Sequence, residues 1–393
     1  MQRQMQNVAR WGESWNFTCA EPILERILMT TDTVGGVWHY SLDMARGLAE
    51  YGVCVHLATM GKNLTPHQAA EAGAIPNLQI HESSFKLEWM EEPWTEVDAA
   101  GLWLLSLARE LQPNVIHFNH FCSAHLPFNA PKLVVAHSDV LSWWRSVLNC
   151  EAPDAWDIYR TRVACGLRAA DSVVAPTETM LKSVQSDFGP LPRCKVIPNG
   201  RSSFGASIDA FTHKAKEPFV LSLGRIWDPA KNFKLLNEVA PSLPWPVVAA
   251  GQSEDLLGHQ EPLSNLKLIG EVSPDSVCSY MQRAAIYALP AKYEPFGLSV
   301  LEAAYRRCAL VLGDIASLRE NWEGAALFVN PDDGADIRNA LRRLIEDPDL
   351  REQLGSRAQS RARNLTVTRM VSEYMREYVH LVNSARHYRE IPK

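Results

Sequence analysis

The strongest constraint on the fold is a repeated alternation of short, continuously apolar runs with amphipathic segments. It begins with RILMTTD (26–32), VWHYSLDMARGLAEYG (37–52) and VCVHLATMG (53–61), a pattern that predicts strand, helix and strand. Strands that are apolar throughout, rather than at every second residue, are buried on both faces. Helices must therefore cover both sides of a parallel sheet. The sequence predicts the α/β class, with doubly wound domains.

This alternation occurs twice along the chain. The first series ends near Gly200, and the second runs from PFVLSLG (218–224) to ALVLGD (309–314). The segment between them loses the periodicity and is rich in small and polar residues, as expected of a connection between domains. At 393 residues the chain also exceeds the usual size of one hydrophobic core. We predict an N-terminal extension (1–24), a first domain (25–200), a connection (201–217), a second domain (218–366), and a C-terminal helix and tail (367–393) that cross back onto the first domain.

Composition and charge exclude several classes of protein. Apolar residues make up 46% of the chain and its formal net charge is -6, so a folded protein without nucleic-acid partners is expected. No apolar run is long enough to cross a bilayer, and the first 24 residues do not resemble a signal peptide. Eight scattered cysteines without zinc-site spacing predict reduced, mostly buried thiols. These features favour a cytoplasmic protein and leave open a weak peripheral contact with the inner face of the membrane.

The stretch KYEPFGLSVLEAA (292–304) places two carboxylates on either side of a turn. Glu294 follows an apolar strand that ends at Pro290, so it lies at the carboxyl edge of the predicted second sheet, where ligands of α/β proteins bind. Helical periodicity begins at about Gly297 or Leu298. The first amides of such a helix lack intrahelical partners and suit a phosphate group. These predicted donors are the amides of Phe296, Gly297, Leu298 and Ser299.

The spacing of the two glutamates favours a nucleotide sugar over a glycosidic bond as their ligand. Eight helical residues separate Glu294 and Glu302 by about 12 Å, whereas the carboxylates of a glycosidase are roughly 5 to 9.5 Å apart. Glu302 could accept two hydrogen bonds from a ribose diol, and Glu294 could face the sugar beyond the diphosphate. The alternative is that Glu294 complements the helix dipole and Glu302 is a surface charge.

Cations and glycines occur at the same predicted sheet edges. Arg225 and Lys231 follow the first strand of the second domain and could stabilise a leaving diphosphate, although most such charges are only solvated. Gly35 and Gly36 form a tight turn after the first strand of the first domain. This turn matches neither the G-x-G-x-x-G pattern nor a P-loop. The sequence therefore predicts a diphosphate held between the two domains, without ATPase chemistry of the P-loop type.

Other polar and aromatic residues are weaker candidates. His137 ends a strand of the first domain and could contact a sugar hydroxyl or support proton transfer, although a lone histidine is more often a satisfied polar residue. Four tryptophans could stack on sugar faces or pack in the core. They are Trp89, Trp94, Trp143 and Trp144.

Taken together, these motifs resemble the GT-B retaining glycosyltransferases of glycosyltransferase family 4. The resemblance spans about residues 26 to 385. It depends on E-x7-E in YEPFGLSVLEA, on GR with a following lysine, on VIPNG, on the GG turn and on the strand-end histidine. It implies a GT-B fold, in which two Rossmann-like domains face a cleft and the C-terminal helix crosses back to the first domain.

The resemblance also implies a role for each matched residue. Glu294 would contact the transferred sugar, Glu302 the ribose, and Arg225 with Lys231 the diphosphate. The base would lie against the backbone from Gly270 to Val272 and against the loop after Gly251. The residues expected to act in catalysis are Glu294, His137, Arg225 and Lys231. Those expected to bind the donor are Gly35, Gly36, Arg225, Lys231, Gly270, Val272, Glu294, Phe296, Gly297, Leu298, Ser299 and Glu302.

The activity that the resemblance implies is the retaining transfer of a hexose from a UDP- or GDP-linked sugar to a hydroxyl acceptor. The acceptor would be a surface glycan, a glycolipid or a small hydroxyl compound. No metal and no cofactor besides the nucleotide-sugar co-substrate are expected, and the oligomeric state is left open. Two alternatives also stay open: a nucleotide-sugar epimerase of the same fold, and a non-catalytic nucleotide-sugar binding protein.

Overall fold

The first half of the chain forms a seven-stranded parallel sheet in the computed structural model, which describes residues 24–201, 215–254 and 262–390 (for 388–390, the backbone alone). The strands are β1 (Arg26–Asp32), β2 (Cys54–Met60), β3 (Leu78–His81), β4 (Val115–Phe118), β5 (Lys132–Val135), β6 (Ser172–Ala175) and β7 (Cys194–Val196), in the spatial order β3-β2-β1-β4-β5-β6-β7. The helices are α1 (Gly36–Ala49), α2 (Pro66–Gly73), α3 (Trp94–Leu111), α4 (Val140–Leu148), α5 (Asp157–Ala169) and α6 (Glu178–Phe188).

The second half forms a six-stranded parallel sheet. Its strands are β8 (Glu217–Leu223), β9 (Val247–Ala250), β10 (Lys267–Leu268), β11 (Ala284–Leu289), β12 (Ala309–Gly313) and β13 (Ala326–Val329), in the order β10-β9-β8-β11-β12-β13. The helices are α7 (Phe233–Val239), α8 (Pro274–Arg283), α9 (Leu298–Tyr305), α10 (Ala316–Trp322), α11 (Gly334–Glu346), α12 (Pro348–Ala362) and α13 (Val367–Glu390).

Both sheets are buried on both faces, as the continuously apolar strands predict. In β1, Ile27 and Met29 belong to one hydrophobic core while Leu28 belongs to the core on the opposite face. In β8, Val220 and Leu221 are divided in the same way between two further cores. Each domain is therefore a sheet between two layers of helices, and the α/β doubly wound prediction is confirmed.

The C-terminal helix α13 packs on the first domain. Val371, Tyr374 and Tyr378 are buried in the same core as β1 and β2, and a Cβ on Gly47 of α1 would lie 2.6 Å from Cγ2 of Val371. Glu377, almost fully buried, accepts hydrogen bonds from Arg193 and Ser172 at 2.6 and 2.8 Å. The predicted return of the C-terminal helix to the first domain is confirmed by these contacts.

The chain crosses between the domains twice, after Arg201 and directly before α13, and the two crossings lie side by side. Gly200 packs so closely on the start of α13 that a Cβ there would lie 2.2 Å from the carbonyl oxygen of Thr366. Arg201 forms a parallel bridge with Thr366. Most of the predicted connection, residues 202–214, lies outside the described residues, as does the extension up to residue 23.

Several predicted features differ in the structure. The strand expected over 266–272 is only two residues long, because the backbone turns at Gly270, where φ is 69°. The edge strands β3 and β13 are absent from the prediction: β3 (LQIH) alternates apolar and polar residues, whereas β13 (ALFV) is apolar but only four residues long. The cysteines were expected to be mostly buried, but of the seven in the described segments only Cys122 and Cys308 are buried. Within those segments no helix is both long and apolar enough to span a membrane.

Candidate active site

The glycine turn of the first domain lies against the predicted diphosphate site of the second. A Cβ on Gly35 would lie 3.7 Å from Nη1 of Arg225, and one on Gly36 would lie 3.5 Å from Cδ1 of Leu298. Gly35 and Gly36 follow β1, Arg225 follows β8, and Leu298 begins α9. The structure therefore brings together four predicted donor-binding residues that come from three separate stretches of sequence.

The turn itself is held by Asp32 at the end of β1. Its Oδ1 accepts hydrogen bonds from the amides of Val34 and Gly35, at 3.1 and 3.0 Å. Burial raises the pKa of Asp32 above its ordinary value, and the two amides and Arg225 oppose that rise. Helix α1 begins directly after the turn without a capping side chain or an acidic residue in its first turn. The positive end of its dipole is thus left for an anion at the cleft.

Glu294 is held in one orientation by three neighbours. Its Oε2 pairs with Nζ of Lys231 at 2.8 Å, its Oε1 accepts from the amide of Gly297 at 2.9 Å, and its backbone oxygen accepts from Oγ of Ser317 at 2.6 Å. The prediction that the amide of Gly297 is unpaired is therefore wrong, because Glu294 folds back as a cap. Gly297 has a φ of 88°, which favours glycine.

Helix α9 begins at Leu298, as predicted, and keeps part of its anion-binding potential. The amides of Leu298 and Ser299 have no hydrogen-bond partner among the described residues. The side chain of Phe296 is buried in the core of the second domain, and Oγ of Ser299 accepts from the hydroxyl of Tyr287 at 2.8 Å. These residues can thus reach a ligand through backbone atoms, while the side chains of Phe296 and Ser299 have structural partners.

Arg225 lies at the end of β8 beside Asp228 and Trp227. Its Nη2 donates to Oδ2 of Asp228 at 2.7 Å, and its guanidinium lies 5.3 Å from the ring of Trp227. Burial raises the pKa of Asp228, but Arg225 and Lys231 outweigh burial and hold that pKa below its ordinary value. Nε of Arg225 and Nε1 of Trp227 are buried and have no partner among the described residues.

Glu302 is neither exposed nor isolated. Its side chain is 12% exposed, and its Oε1 accepts a hydrogen bond from Nε of Arg201. Arg201 also pairs with Asp43 of α1 at 2.8 Å. Nearby, His39 has a pKa below its ordinary value because of burial and of the Arg201 cation. The alternative in which Glu302 is a surface charge is therefore wrong. Nothing in the sequence pattern identifies Arg201, which pairs with Glu302, or Asp43, which pairs with Arg201.

His137 belongs to a partly buried hydrogen-bond network around Asn119. Nδ2 of the Asn119 side chain donates to the carbonyl oxygen of Thr30 at 2.7 Å, which directs Oδ1 of Asn119 toward two histidines. Nε2 of His137 lies 2.8 Å from that oxygen and Nε2 of His117 lies 3.1 Å from it, so both nitrogens carry the proton. Nδ1 of His117 then accepts from the hydroxyl of Tyr378 on α13, at 2.6 Å. Nδ1 of His137 is left as an acceptor.

The Asn119 network predicts a loss of stability in mild acid. Burial lowers the pKa of His117 and of His137 to about 3, whereas an unfolded histidine has a pKa of 6.5. Below pH 6.5 the unfolded state therefore binds protons that the native state does not. The free energy of unfolding should fall between pH 6.5 and 3, by up to about 1.4 kcal/mol per pH unit for each histidine. Urea unfolding at pH 7, 6 and 5 measures this slope.

A variant separates this effect from general acid sensitivity. His117→Gln removes one titrating group and should make the slope shallower than in the parent protein. His125→Gln, whose ring lies outside the network, serves as the control and should leave the slope unchanged. An unchanged slope in His117→Gln would contradict the assignment of His117 as buried and neutral.

The loop that carries Glu294 is held by the first domain. The hydroxyl of Tyr293 accepts from the amide of Asp139 at 3.1 Å and lies 2.9 Å from Oγ of Ser142, at the start of α4. Oγ1 of Thr177 donates to the backbone oxygen of Pro295 at 3.1 Å. These contacts bring the loop that carries Glu294 to the domain interface, and nothing in the sequence pattern identifies them.

The remaining predicted residues are those of the base-binding loops and the four tryptophans. The carbonyl of Gly270 accepts from the amide of Gly251 at 2.9 Å, so the two predicted base-binding loops adjoin, and Val272 packs against a core of the second domain. Trp89, Trp94 and Trp144 pack against hydrophobic cores. The ring of Trp143 lies 6.1 Å from that of Trp144. Where the structure describes the chain, no cluster of three or more metal-ligating side chains occurs.

Two family models match adjoining parts of the chain. The model described as Glycosyltransferase Family 4 matches residues 34–202, and the model described as Glycosyl transferases group 1 matches residues 205–361. The chain belongs to this glycosyltransferase family. The first model covers the Gly35–Gly36 turn and His137, and the second covers Arg225, Lys231, Glu294 and Glu302.

Relatives of this glycosyltransferase include proteins of several named activities. It is 25% identical over 276 residues to glycogen synthase from Mycobacterium tuberculosis, an alignment that spans 63% of this chain and 64% of the relative. It is 22% identical over 363 residues to D-rhamnosyltransferase WbpZ from Pseudomonas aeruginosa, spanning 85% and 89% of the two chains.

Solved structures share its fold. Sucrose-phosphate synthase from Thermosynechococcus elongatus superposes with a TM-score of 0.75 at 17% identity, covering 92% of this chain and all of that one. HepE from Anabaena, solved with UDP and glucose, superposes with a TM-score of 0.71 at 17% identity, covering 90% and 99%. The glycosyltransferase described here therefore has the GT-B fold.

Proposed function

We propose that this glycosyltransferase moves a hexose, with retention, from a UDP- or GDP-linked sugar to a hydroxyl acceptor, without a metal ion. The main support is the convergence of the Gly35–Gly36 turn, Arg225 and the Lys231–Glu294 pair at the domain interface. Two cations and two helix starts suit the charge of a diphosphate. The likeness to HepE, solved with UDP and glucose, adds support for a nucleotide-sugar donor.

The proposed chemistry assigns the leaving group to the second domain. As the bond between the anomeric carbon and the diphosphate oxygen breaks, Arg225, Lys231 and the amides at the start of α9 stabilise the developing negative charge. The acceptor oxygen then bonds to the anomeric carbon from the same face, and its proton passes to the departing phosphate oxygen. The neutral ring of His137, with Nδ1 free to accept, would bind a sugar hydroxyl from the first domain.

The acceptor and the setting of the reaction belong to the same proposal. A glycan, a glycolipid or a small hydroxyl compound would enter from the side of the first domain, and the reaction would take place in the cytoplasm or at the inner face of the membrane. Relatives named as a glycogen synthase and as an O-antigen chain mannosyltransferase support a glycan acceptor.

A donor screen tests the proposed function. The protein is incubated with UDP-, GDP- and ADP-linked sugars, with and without a chelator, and the released nucleotide diphosphate is measured. Slow donor hydrolysis that survives the chelator supports metal-independent transfer chemistry. A sugar inverted at C2 would instead indicate an epimerase, and binding without turnover for any acceptor would indicate a non-catalytic protein.

A substitution at Glu302 tests the ribose role. Glu302→Ala is expected to weaken binding of the nucleotide diphosphate by about 1 to 3 kcal/mol, the range for hydrogen bonds to a charged group. Titration calorimetry with the nucleotide measures this change. Glu346→Ala on the exposed face of α11 is the control and should bind normally. Unchanged affinity in Glu302→Ala would show that Glu302 does not hold the ribose.

A further inference from the structure

Arg201 lies at the junction of the two crossings between the domains. Its amide donates to the carbonyl of Leu365 at 3.3 Å, and its backbone bridges to Thr366 directly before α13. The residue is therefore fixed where the chain leaves the first domain and where it returns. Its side chain is only 4% exposed.

The guanidinium of Arg201 connects one helix of each domain. Nη1 donates to Oδ2 of Asp43 at 2.8 Å, and Nε donates to Oε1 of Glu302. Asp43 belongs to α1, which begins at the glycine turn, and Glu302 belongs to α9, which begins after Glu294. Both helices thus start at the proposed diphosphate site, and Arg201 joins them about one to two turns further along.

Burying these charges adds little to the free energy of unfolding. Removing a guanidinium and a carboxylate from water costs much of the energy that their attraction returns, and an apolar side chain of similar volume often stabilises a fold as well or better. A buried ion pair of this kind is better explained by the side chain whose orientation it fixes. With Oε1 engaged by Arg201, the side chain of Glu302 loses rotational freedom before a ligand arrives, while Oε2 and the remaining lone pairs can still accept hydrogen bonds.

We propose that Arg201 is a positioning residue for the donor: it holds Glu302 in the orientation that accepts the ribose hydroxyls, and Asp43 of the first domain holds Arg201. This inference depends on the proposed function, because it assigns the ribose to Glu302. Recognition of the ribose by Glu302 of the second domain would then require Arg201 and Asp43, neither of which touches the nucleotide.

Paired nucleotides that differ by one hydroxyl provide the test. Dissociation constants are measured by titration calorimetry for UDP, GDP and ADP and for their 2′-deoxy counterparts, and the tightest pair is kept. The parent protein should prefer the ribonucleotide at least about tenfold, which corresponds to one hydrogen-bonding hydroxyl. Glu302→Gln and Arg201→Met should reduce that preference to less than about threefold, and Asp43→Asn and Arg201→Lys should give intermediate values.

The ratio of the two affinities separates positioning from a structural role. Loss of packing alone would weaken both nucleotides equally and leave the ratio unchanged. Arg193→Met removes another arginine of the first domain, which is 45% exposed and pairs with the buried Glu377 on α13, and should keep the ratio of the parent protein. If Arg201→Met does not fold, the Arg201→Lys and Asp43→Asn variants still report the ratio.

Each outcome decides a different claim. If the parent protein shows no preference, or if Glu302→Gln keeps it, the ribose role of Glu302 fails and the positioning role fails with it. If Glu302→Gln loses the preference while the Arg201 and Asp43 variants retain it in full, the positioning role alone is overturned. Loss of the preference in both sets supports it.

Discussion

Glu294→Gln is expected to lower kcat by at least about 100-fold while binding of the nucleotide diphosphate stays within about threefold of the parent protein. The carboxylate both pairs with Lys231 and accepts from the amide of Gly297. Glutamine keeps an oxygen for Gly297 but loses the charge that orients Lys231. The loop should therefore retain its shape, while the proposed contacts with the sugar and the leaving group change. Steady-state kinetics with the donor measure kcat, and calorimetry measures nucleotide binding.

A surface variant controls for the change of charge. Glu323→Gln neutralises a carboxylate in the same domain whose side chain is 62% exposed and pairs only with Arg319 among the described residues. Its kcat should match that of the parent protein. Normal turnover in Glu294→Gln would remove Glu294 from the catalytic assignment, whereas weakened nucleotide binding at unchanged kcat would move it to a purely donor-binding role.

Gly200→Ala is expected to destabilise the protein by more than about 3 kcal/mol. A Cβ at this position would lie 2.2 Å from the carbonyl oxygen of Thr366 and 2.6 Å from the amide nitrogen of Val367. These are backbone atoms at the start of α13, so they cannot rotate away as a flexible side chain would. One of the two crossings between the domains must shift. Urea unfolding of the parent and the variant measures the difference.

Gly73→Ala is the matched control for this change. Gly73 ends α2, and a Cβ there would meet no atom within 4 Å. The substitution should be neutral or stabilise the protein by up to about 1 kcal/mol, because alanine restricts the unfolded chain. If Gly200→Ala were as stable as Gly73→Ala, the close contact between residues 200 and 366 would be wrong.

Much of the fold follows from local sequence patterns. Continuously apolar runs locate the central strands, including β1 and β8, because a strand buried on both faces has no polar side. The start of α9 follows from Pro295 and Gly297 and from the helical period after them. The edge strand β3 was missed because it alternates apolar and polar residues, and β13 was missed because its apolar run is only four residues long. The strand β10 was predicted too long because the backbone turns at Gly270, where φ is positive.

The candidate site follows from the sequence as a set of positions. Residues that come directly after parallel strands must lie at one edge of a sheet, so Gly35, Arg225, Glu294 and His137 are identified as neighbours of a common cleft. The roles given to these residues in catalysis and donor binding stay predictions. The glycine turn lies beside Arg225, so one of these positions from each domain is adjacent to the other in the structure.

By itself, then, the sequence determined most of the secondary structure, the two-domain α/β architecture and the edge at which polar residues collect, because each of these depends on neighbours within a few turns or strands. Only the tertiary structure decided which charges meet. Lys231 and Glu294 are 63 residues apart, and Arg201 and Asp43 are 158 apart. Spacing along the chain does not specify such pairs. They form because packing of the two domains buries these side chains together, and a buried charge must have a partner.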